Sequence, residues 1–254
     1  MAAYKVGYFI GSLSSTSINR LLAKALERLA PPELALTEIP IKDLPLYSPD
    51  FDADYPPVAR ALKQSIADVD AVLFVTPEYN RSIPGGLKNA IDWASRPWGK
   101  NSFARKPTGV IGTSPGAIGT AVAQQSLRGV LCYCNSPLMN QVEAYIQFRP
   151  GLITADGEVT EEATQEFLRN YMTELHAFIA RVLSRTPAQR LTQTRGSRRN
   201  GLPDFANFAH RPENWTRGQR STLTVPVYPP YATPRRGEPR SAPDRRERRK
   251  YVSL

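Results

Sequence analysis

Five short runs of apolar residues each predict a β-strand: residues 6–10, 34–39, 71–75, 107–113 and 138–142. Between and after these runs, apolar residues recur every three or four positions, which predicts amphipathic helices. The predicted helices lie within 21–29, 58–66, 87–93, the residues after 120, and 168–182, the last with Thr160 as its N-cap. Strands that alternate with helices in this way predict an α/β fold with a doubly wound parallel sheet. We expect this domain to span residues 1–184.

In a doubly wound domain, ligands bind beyond the carboxyl ends of the strands, at the point where the strand order reverses. Three polar loops, 11–19, 77–84 and 113–119, follow the first, third and fourth predicted strands. We therefore expect these three loops to line one crevice.

The first of these loops is rich in hydroxyl groups and leads into a helix. Its hydroxyl residues are Ser12, Ser14, Ser15, Thr16 and Ser17. A helix N-terminus leaves backbone N–H groups free and has a partial positive charge, so it suits an anion. The loop has neither the glycines of a dinucleotide-binding fingerprint nor the lysine of a P-loop. It therefore predicts a phosphate site built from hydroxyl groups, with an ordinary turn capped by Ser17 or Asn19 as the alternative.

The second loop belongs to the run Pro77-Glu-Tyr-Asn-Arg-Ser-Ile-Pro-Gly-Gly-Leu-Lys-Asn-Ala-Ile-Asp-Trp93. Its two prolines and two glycines favour an extended loop that exposes backbone N–H and C=O groups. Such groups can contact the edge of a planar heterocycle, and Tyr79 offers an aromatic face. The alternative is a plain connection between a strand and a helix, for which the eleven residues 76–86 are long.

These stretches resemble the NADPH-dependent FMN reductase family, the flavodoxin-like quinone, chromate and azo-dye reductases. The matching residues are Gly11-Ser-Leu-x-x-x-Ser17-x-Asn19, Leu46-Tyr47, Thr76-Pro-Glu-Tyr-Asn80, Ser82-Ile-Pro-Gly-Gly-Leu-Lys-Asn89 and Ile91-Asp-Trp93. The resemblance covers residues 4–183, and it implies a flavodoxin-like five-stranded sheet of order 2-1-3-4-5. It also implies a homodimer or homotetramer.

The resemblance further implies where FMN is held. The phosphate would lie on the first loop, with the contacts Ser12, Ser14, Ser17, Asn19 and the backbone of Ile18. The isoalloxazine ring would lie against the second loop, with the contacts Pro77, Glu78, Tyr79, Asn80 and Ser82, while Ser114 and Gly116 close the other side.

The activity implied by the resemblance is hydride transfer from NADPH, or NADH, through N5 of FMN to a small-molecule acceptor. Quinones, chromate and azo dyes are acceptors of this kind, and the cycle would be ping-pong. The cofactor supplies this chemistry while the protein supplies orientation and electrostatics, so no side chain is expected to be an obligatory acid or base. Arg81 is a candidate contact for the nucleotide phosphate or the acceptor, and a solvated or interface arginine is the alternative.

Two other classes of protein are alternatives. An electron-transfer flavoprotein without its own NADPH oxidation shares the fold, but such flavodoxins are acidic and have a different phosphate loop. A serine hydrolase is suggested by Gly112-Thr-Ser-Pro-Gly116, which matches the G-x-S-x-G pattern around Ser114. That design needs the backbone N–H of the residue after the nucleophile, and here this residue is Pro115, which has none.

The net charge of +10 is located almost entirely in the last 70 residues. Residues 185–254 hold 16 of the 33 Lys and Arg but 5 of the 23 Asp and Glu, so this segment has a charge of +11 and residues 1–184 have −1. A basic, Pro/Arg-rich extension without apolar periodicity is typical of a disordered tail with weak attraction to nucleic acid. It does not predict nucleic-acid binding by the domain.

The two cysteines, Cys132 and Cys134, lack the spacing of a zinc site or a disulfide framework, and we expect free thiols at a helix end. No metal site is predicted. The sequence also shows neither a signal-peptide pattern nor an apolar run long enough to span a membrane. A cytoplasmic location is therefore expected.

One departure from the family pattern generates a testable prediction. The family usually has Arg where this chain has Ser14, and a charged hydrogen bond to phosphate is roughly twice as strong as a neutral one. Replacing Ser14 with Arg is therefore expected to tighten FMN binding, measured by fluorescence titration. An unchanged dissociation constant would contradict this interpretation.

Overall fold

The computed structural model describes residues 3–185. The predicted basic extension, with its expected disorder and weak nucleic-acid attraction, lies outside the described residues. The strands are β1 Tyr4–Ile10, β2 Leu34–Glu38, β3 Ala71–Val75, β4 Thr108–Ser114 and β5 Tyr145–Gln147. The helices are α1 Ile18–Leu29, α2 Pro57–Ala67, α3 Gly85–Ser95, α4 Ala121–Tyr133 and α5 Glu162–Arg185, with a short 3-10 helix at Pro49–Phe51. None of these helices is both long and apolar enough to cross a membrane.

The five strands form one parallel sheet in the order β2-β1-β3-β4-β5, which confirms the predicted flavodoxin-like topology. From β1 the chain proceeds to the neighbour on one side, β2, and then crosses over β1 to β3 on the other. The strand order therefore reverses between β1 and β3, and ligands of such sheets bind beyond the carboxyl ends of the strands at this point.

Successive residues of the central strands face opposite sides of the sheet, so each strand contributes to two cores. On one side, α1 and α5 pack over β1 residues such as Val6 and Ile10. On the other side, α2, α3 and α4 pack over Phe9 and Phe74, whose rings stack with centroids 5.0 Å apart. This two-sided burial explains why β3 is apolar at every position.

The predicted fifth strand, 138–142, is wrong. Leu138 makes only an isolated parallel bridge with Thr108, and regular pairing resumes at Tyr145, which lies opposite Gly112. An edge strand pairs on one side only, so the hydrogen bonds to β4 decide where it forms. A short run of apolar residues does not report those bonds.

Two predicted helix starts are also corrected. Helix α3 begins at Gly85 with Pro84 as its N-cap, two residues before the predicted start. Helix α5 begins at Glu162, and Thr160 does not cap it: the Thr160 hydroxyl donates to the carbonyl oxygens of Gly151 and Leu152, at 2.8 and 3.2 Å.

Two glycines give opposite predictions for stability. A Cβ at Gly112 would lie 2.0 Å from the Thr76 carbonyl oxygen, whereas a Cβ at Gly129, inside α4, would meet nothing within 4 Å. Gly112→Ala is therefore expected to lower the free energy of unfolding by about 3 kcal/mol through overpacking. Gly129→Ala is expected to raise it by about 0.5–1 kcal/mol through helix propensity.

Urea denaturation of the two variants measures both effects. Equal changes in the two variants would contradict the packing described around Gly112.

Candidate functional site

The loop between β1 and α1 is held in shape by its own hydroxyl groups. The Ser12 hydroxyl accepts the backbone N–H of Ser14 at 3.3 Å, and the Ser14 hydroxyl accepts the backbone N–H of Thr16 at 3.2 Å. The hydroxyls of Ser14 and Thr16 are themselves 3.2 Å apart. Ser14 therefore has a local structural role in addition to its predicted contact with phosphate.

Ser17 is the N-cap residue of α1, but its side chain makes no capping hydrogen bond. The residue is only 7% exposed, and its Oγ is buried without a hydrogen-bond partner. Buried hydroxyls are normally paired, because an unpaired one costs free energy. The N–H groups of Ile18 and Asn19 belong to the first turn, which has no intrahelical acceptors. An anion at this end of α1 would satisfy these donors together.

Asn19 is fully buried, and its side chain joins α1 to the end of β4. The Asn19 Nδ2 donates to the carbonyl oxygen of Thr113 at 2.9 Å, and its Oδ1 accepts the Thr113 N–H at 3.0 Å. The side chain predicted to contact phosphate is thus engaged with backbone, while the Asn19 N–H remains at the helix start.

Arg20, the next residue, does not take the place of the arginine absent at position 14. Its guanidinium forms a bidentate ion pair with Glu38, at 2.7 and 3.1 Å. The hydrogen bond to Glu38 raises the pKa of Arg20, and the ion pair holds the guanidinium beside the end of β2.

The loop after β3 is a tight turn and not the extended loop that was predicted. The backbones of Tyr79 and Ser82 donate to each other at 3.0 Å in both directions. The residues between them, Asn80 and Arg81, have φ values of +52° and +62°. This left-handed conformation costs a non-glycine residue about 1–2 kcal/mol, and such strain concentrates at binding sites.

Two side chains of this loop form hydrogen bonds with α4. Glu78 accepts hydrogen bonds from the backbone N–H groups of Val122 and Ala123, and it pairs with Arg81 at 2.9 Å. Ser82 Oγ lies 3.2 Å from Ser126 Oγ on α4. Pro77 is buried directly after β3.

The third loop is shaped by Ser114. Its hydroxyl donates to the carbonyl oxygen of Gly119 at 2.7 Å and accepts the N–H of Gly116 at 3.1 Å. His176 packs against the ring of Tyr4, with centroids 5.8 Å apart. Tyr4 opens β1 and therefore lies at the amino ends of the strands, whereas Ser114 lies at the carboxyl ends. Within residues 3–185 Ser114 therefore has no histidine base, which is a second argument against the hydrolase alternative.

The three predicted loops do meet. Asn19 of the first loop contacts Thr113, the first residue of the third loop, and Glu78 of the second loop contacts α4, which follows the third. A Cβ at Gly11 would lie 3.1 Å from Pro77, so the first and second loops are also in close approach.

Each of the three loops exposes one apolar side chain, of which the sequence reasoning named Tyr79 and missed the other two. Leu13 is 54% exposed, Tyr79 51% and Ile118 47%, with one on each loop. Exposed apolar residues at the mouth of a crevice are typical of a binding site for a planar, mostly apolar ligand. A signal for Leu13 and Ile118 existed in the sequence, since each is a large apolar residue in a loop made mostly of small or polar residues.

This combination of fold and loops is that of a flavodoxin-like flavoprotein, and comparison with known proteins identifies its family. The model of the NADPH-dependent FMN reductase family matches residues 4–151, so the chain belongs to that family.

Three relatives show how far the similarity extends. The chain is 51% identical over 177 residues to the 2-hydroxy-1,4-benzoquinone reductase of a Burkholderia species, covering 70% of this chain and 97% of the relative. It is 38% identical over 181 residues to the quinone reductase of Escherichia coli K12, covering 68% and 94%. The structure of FerB, a flavoenzyme NAD(P)H:(acceptor) oxidoreductase from Paracoccus denitrificans, is similar with a TM-score of 0.68 and 45% identity, covering 70% and 98%.

Family membership confirms that the chain is an oxidoreductase that uses FMN and NAD(P)H. The residues present fit this cofactor, because the buried Ser17 hydroxyl lacks a partner at the helix end suited to a phosphate. The predicted contacts themselves remain predictions.

The role of Asn19 can be tested by stability. Replacing Asn19 with Ala would leave the buried N–H and C=O of Thr113 without these partners, so the free energy of unfolding is expected to fall by about 3 kcal/mol. The control is Asn170→Ala on the exposed face of α5, for which a change within about 0.5 kcal/mol is expected. Chemical denaturation in the absence of cofactor measures both, and a similar small change at Asn19 would refute the bridging role.

Proposed function

We propose that this protein reduces quinones with electrons from NAD(P)H, through an FMN whose phosphate lies at the start of α1. The observation that supports this position most strongly is the buried, unpartnered Oγ of Ser17 beside the free N–H groups of Ile18 and Asn19. Hydroxyl and backbone N–H donors at a helix N-terminus form a phosphate site without a basic residue. Ser12 and Ser14 shape the loop and complete the set of donors.

The isoalloxazine ring is proposed to lie between the second and third loops. Pro77, Tyr79 and the backbone of Asn80 line one side, with Ser82 held in the same turn, while Ser114 and Gly116 line the other. In this arrangement Glu78 contributes backbone to the ring site, because its carboxylate is engaged by α4 and Arg81.

FMN supplies hydride exchange at N5, and the protein supplies a fixed position and an open face. The described loops leave Tyr79 and Leu13 half exposed, which is compatible with a site that a nicotinamide ring and a quinone occupy in turn. We therefore propose a ping-pong cycle. Arg81 is 69% exposed despite its ion pair with Glu78, so its remaining N–H groups can contact a nucleotide phosphate or an anionic acceptor.

Quinones are the proposed acceptors because the relatives with 51% and 38% identity are quinone reductases and because each of the three loops exposes an apolar residue. Chromate and azo dyes remain secondary proposals that rest on the resemblance alone. A homodimer or homotetramer and a cytoplasmic location also remain predictions.

The activity is tested by anaerobic addition of NADPH or NADH to the FMN-loaded protein, followed by a quinone. Loss and recovery of the visible flavin absorbance are expected, together with parallel lines in double-reciprocal plots at several quinone concentrations. Absorbance that falls only with an artificial reductant would favour the electron-transfer alternative, and intersecting lines would contradict the ping-pong cycle.

The phosphate position is tested by Ser17→Ala. Because a hydrogen bond to a charged group contributes about 1.5–3 kcal/mol, FMN affinity is expected to fall about 10- to 100-fold, while stability without cofactor changes by less than about 0.5 kcal/mol. Ser15→Ala, in the exposed part of the same loop, is the matched control. Equal FMN affinities for the Ser17 and Ser15 variants would contradict the proposed phosphate site.

A further inference from the structure

The carboxylate of Glu78 connects two segments that are far apart in sequence. Oε2 accepts the N–H groups of Val122 and Ala123, each at 3.1 Å, and Oε1 accepts from Nη1 of Arg81 at 2.9 Å. The Glu78 side chain is only 8% exposed. One buried carboxylate therefore contacts both the turn after β3 and the first turn of α4.

Helix α4 depends on this distant carboxylate because its own sequence supplies no cap. The N-cap residue, Thr120, makes no capping hydrogen bond, and the first turn of α4 has no acidic residue. The Thr120 hydroxyl instead accepts from Nε2 of Gln124 at 2.9 Å. Glu78 thus satisfies free N–H groups and places a negative charge at the positive end of the helix.

The turn that contains Glu78 also depends on the carboxylate. Arg81 has a left-handed backbone, which is unfavourable for a residue with a side chain. Its guanidinium is held by Glu78 three residues earlier. Removing the carboxylate therefore removes a contact that opposes relaxation of the turn, and Tyr79 belongs to the same turn.

We infer that Glu78 is a positioning residue that fixes the second loop relative to the third, and with them the two sides of the flavin ring site. This inference rests on the proposed function, and it assigns the Glu78 side chain a role other than contact with the ring. Glu78 holds Arg81 of loop 77–84 and also the first turn of α4, which follows loop 113–119, so one carboxylate links the two loops.

The first part of the test uses the protein without FMN. Hydrogen exchange, read by NMR at single amides, is compared in Glu78→Ala, Glu78→Gln and the control Asp92→Asn, which breaks an exposed ion pair with Lys88 inside α3. Glu78→Ala is expected to increase exchange about tenfold or more at Val122 and Ala123 and also at Ser82. Glu78→Gln keeps an oxygen for the α4 amides and loses the ion pair with Arg81. It is therefore expected to increase the exchange rate at Ser82 and not at Val122 or Ala123.

The second part measures the dissociation constants of FMN and of riboflavin. A residue that positions the ring site affects both ligands, so Glu78→Ala is expected to weaken both about tenfold and by the same factor. Glu78→Gln is expected to weaken both less, and Asp92→Asn is expected to change neither. A purely structural role would lower the folded fraction without altering the dissociation constants of the folded protein.

The outcomes separate this inference from the proposed function. If the wild-type chain binds no FMN, the proposed function fails and the inference fails with it. If the wild-type chain binds FMN but Glu78→Ala leaves either the exchange rates or both dissociation constants unchanged, the proposed function stands and the positioning role is refuted. If Glu78→Ala does not fold, the exchange rate at Ser82 is measured in Glu78→Gln and Arg81→Ala instead. An unchanged rate in both variants would refute the positioning role of Glu78.

Discussion

The side chain of Asn19 joins the start of α1 to the end of β4 through two hydrogen bonds with the backbone of Thr113. Both residues are buried, so neither can replace these hydrogen bonds with bonds to water. The first turn of α1 is therefore fixed against the strand that leads into the third loop. Gly11 closely approaches Pro77, so the second loop lies against the first, and the site depends on these two connections.

This bridge changes which groups are available for a phosphate. Because the side-chain amide of Asn19 is bonded to Thr113, the donors left at the start of α1 are the Ser17 hydroxyl and the backbone N–H groups. Within residues 3–185 no lysine or arginine belongs to this set, and Arg20 is paired with Glu38. A phosphate would therefore be bound here by the dipoles of hydroxyl and N–H groups at the helix end and not by a positively charged side chain.

Much of the fold could be predicted from the sequence because the central strands are covered on both faces. Residues 71–75 are apolar throughout for that reason, and they form β3 as expected. The edge strand was placed wrongly, since continued pairing with β4 decides its position and the run 138–142 forms only an isolated bridge with Thr108. Contacts between residues far apart in the chain, such as Glu78 with the start of α4, cannot be predicted from the local pattern of apolar and polar residues.

The candidate site was predicted at the level of loops and not of side-chain roles. Ser17 lies where the hydroxyl-rich pattern predicted a phosphate contact, whereas the side chains of Asn19, Ser114 and Glu78 are engaged in positioning backbone. These roles depend on contacts between residues more than 40 positions apart in two of the three cases. The enzyme class could be predicted from the sequence because the run 77–93 resembles one family closely, and membership of that family is confirmed.

The central claim is that the start of α1 holds the phosphate of FMN, and the most direct measurement compares FMN with riboflavin, which lacks the phosphate. Titration of the wild-type protein with each ligand isolates the contribution of the phosphate site. Several hydrogen bonds to a charged group predict at least about a 100-fold tighter dissociation constant for FMN. Equal affinities for the two ligands would show that the phosphate is not bound at this helix end and would contradict the account.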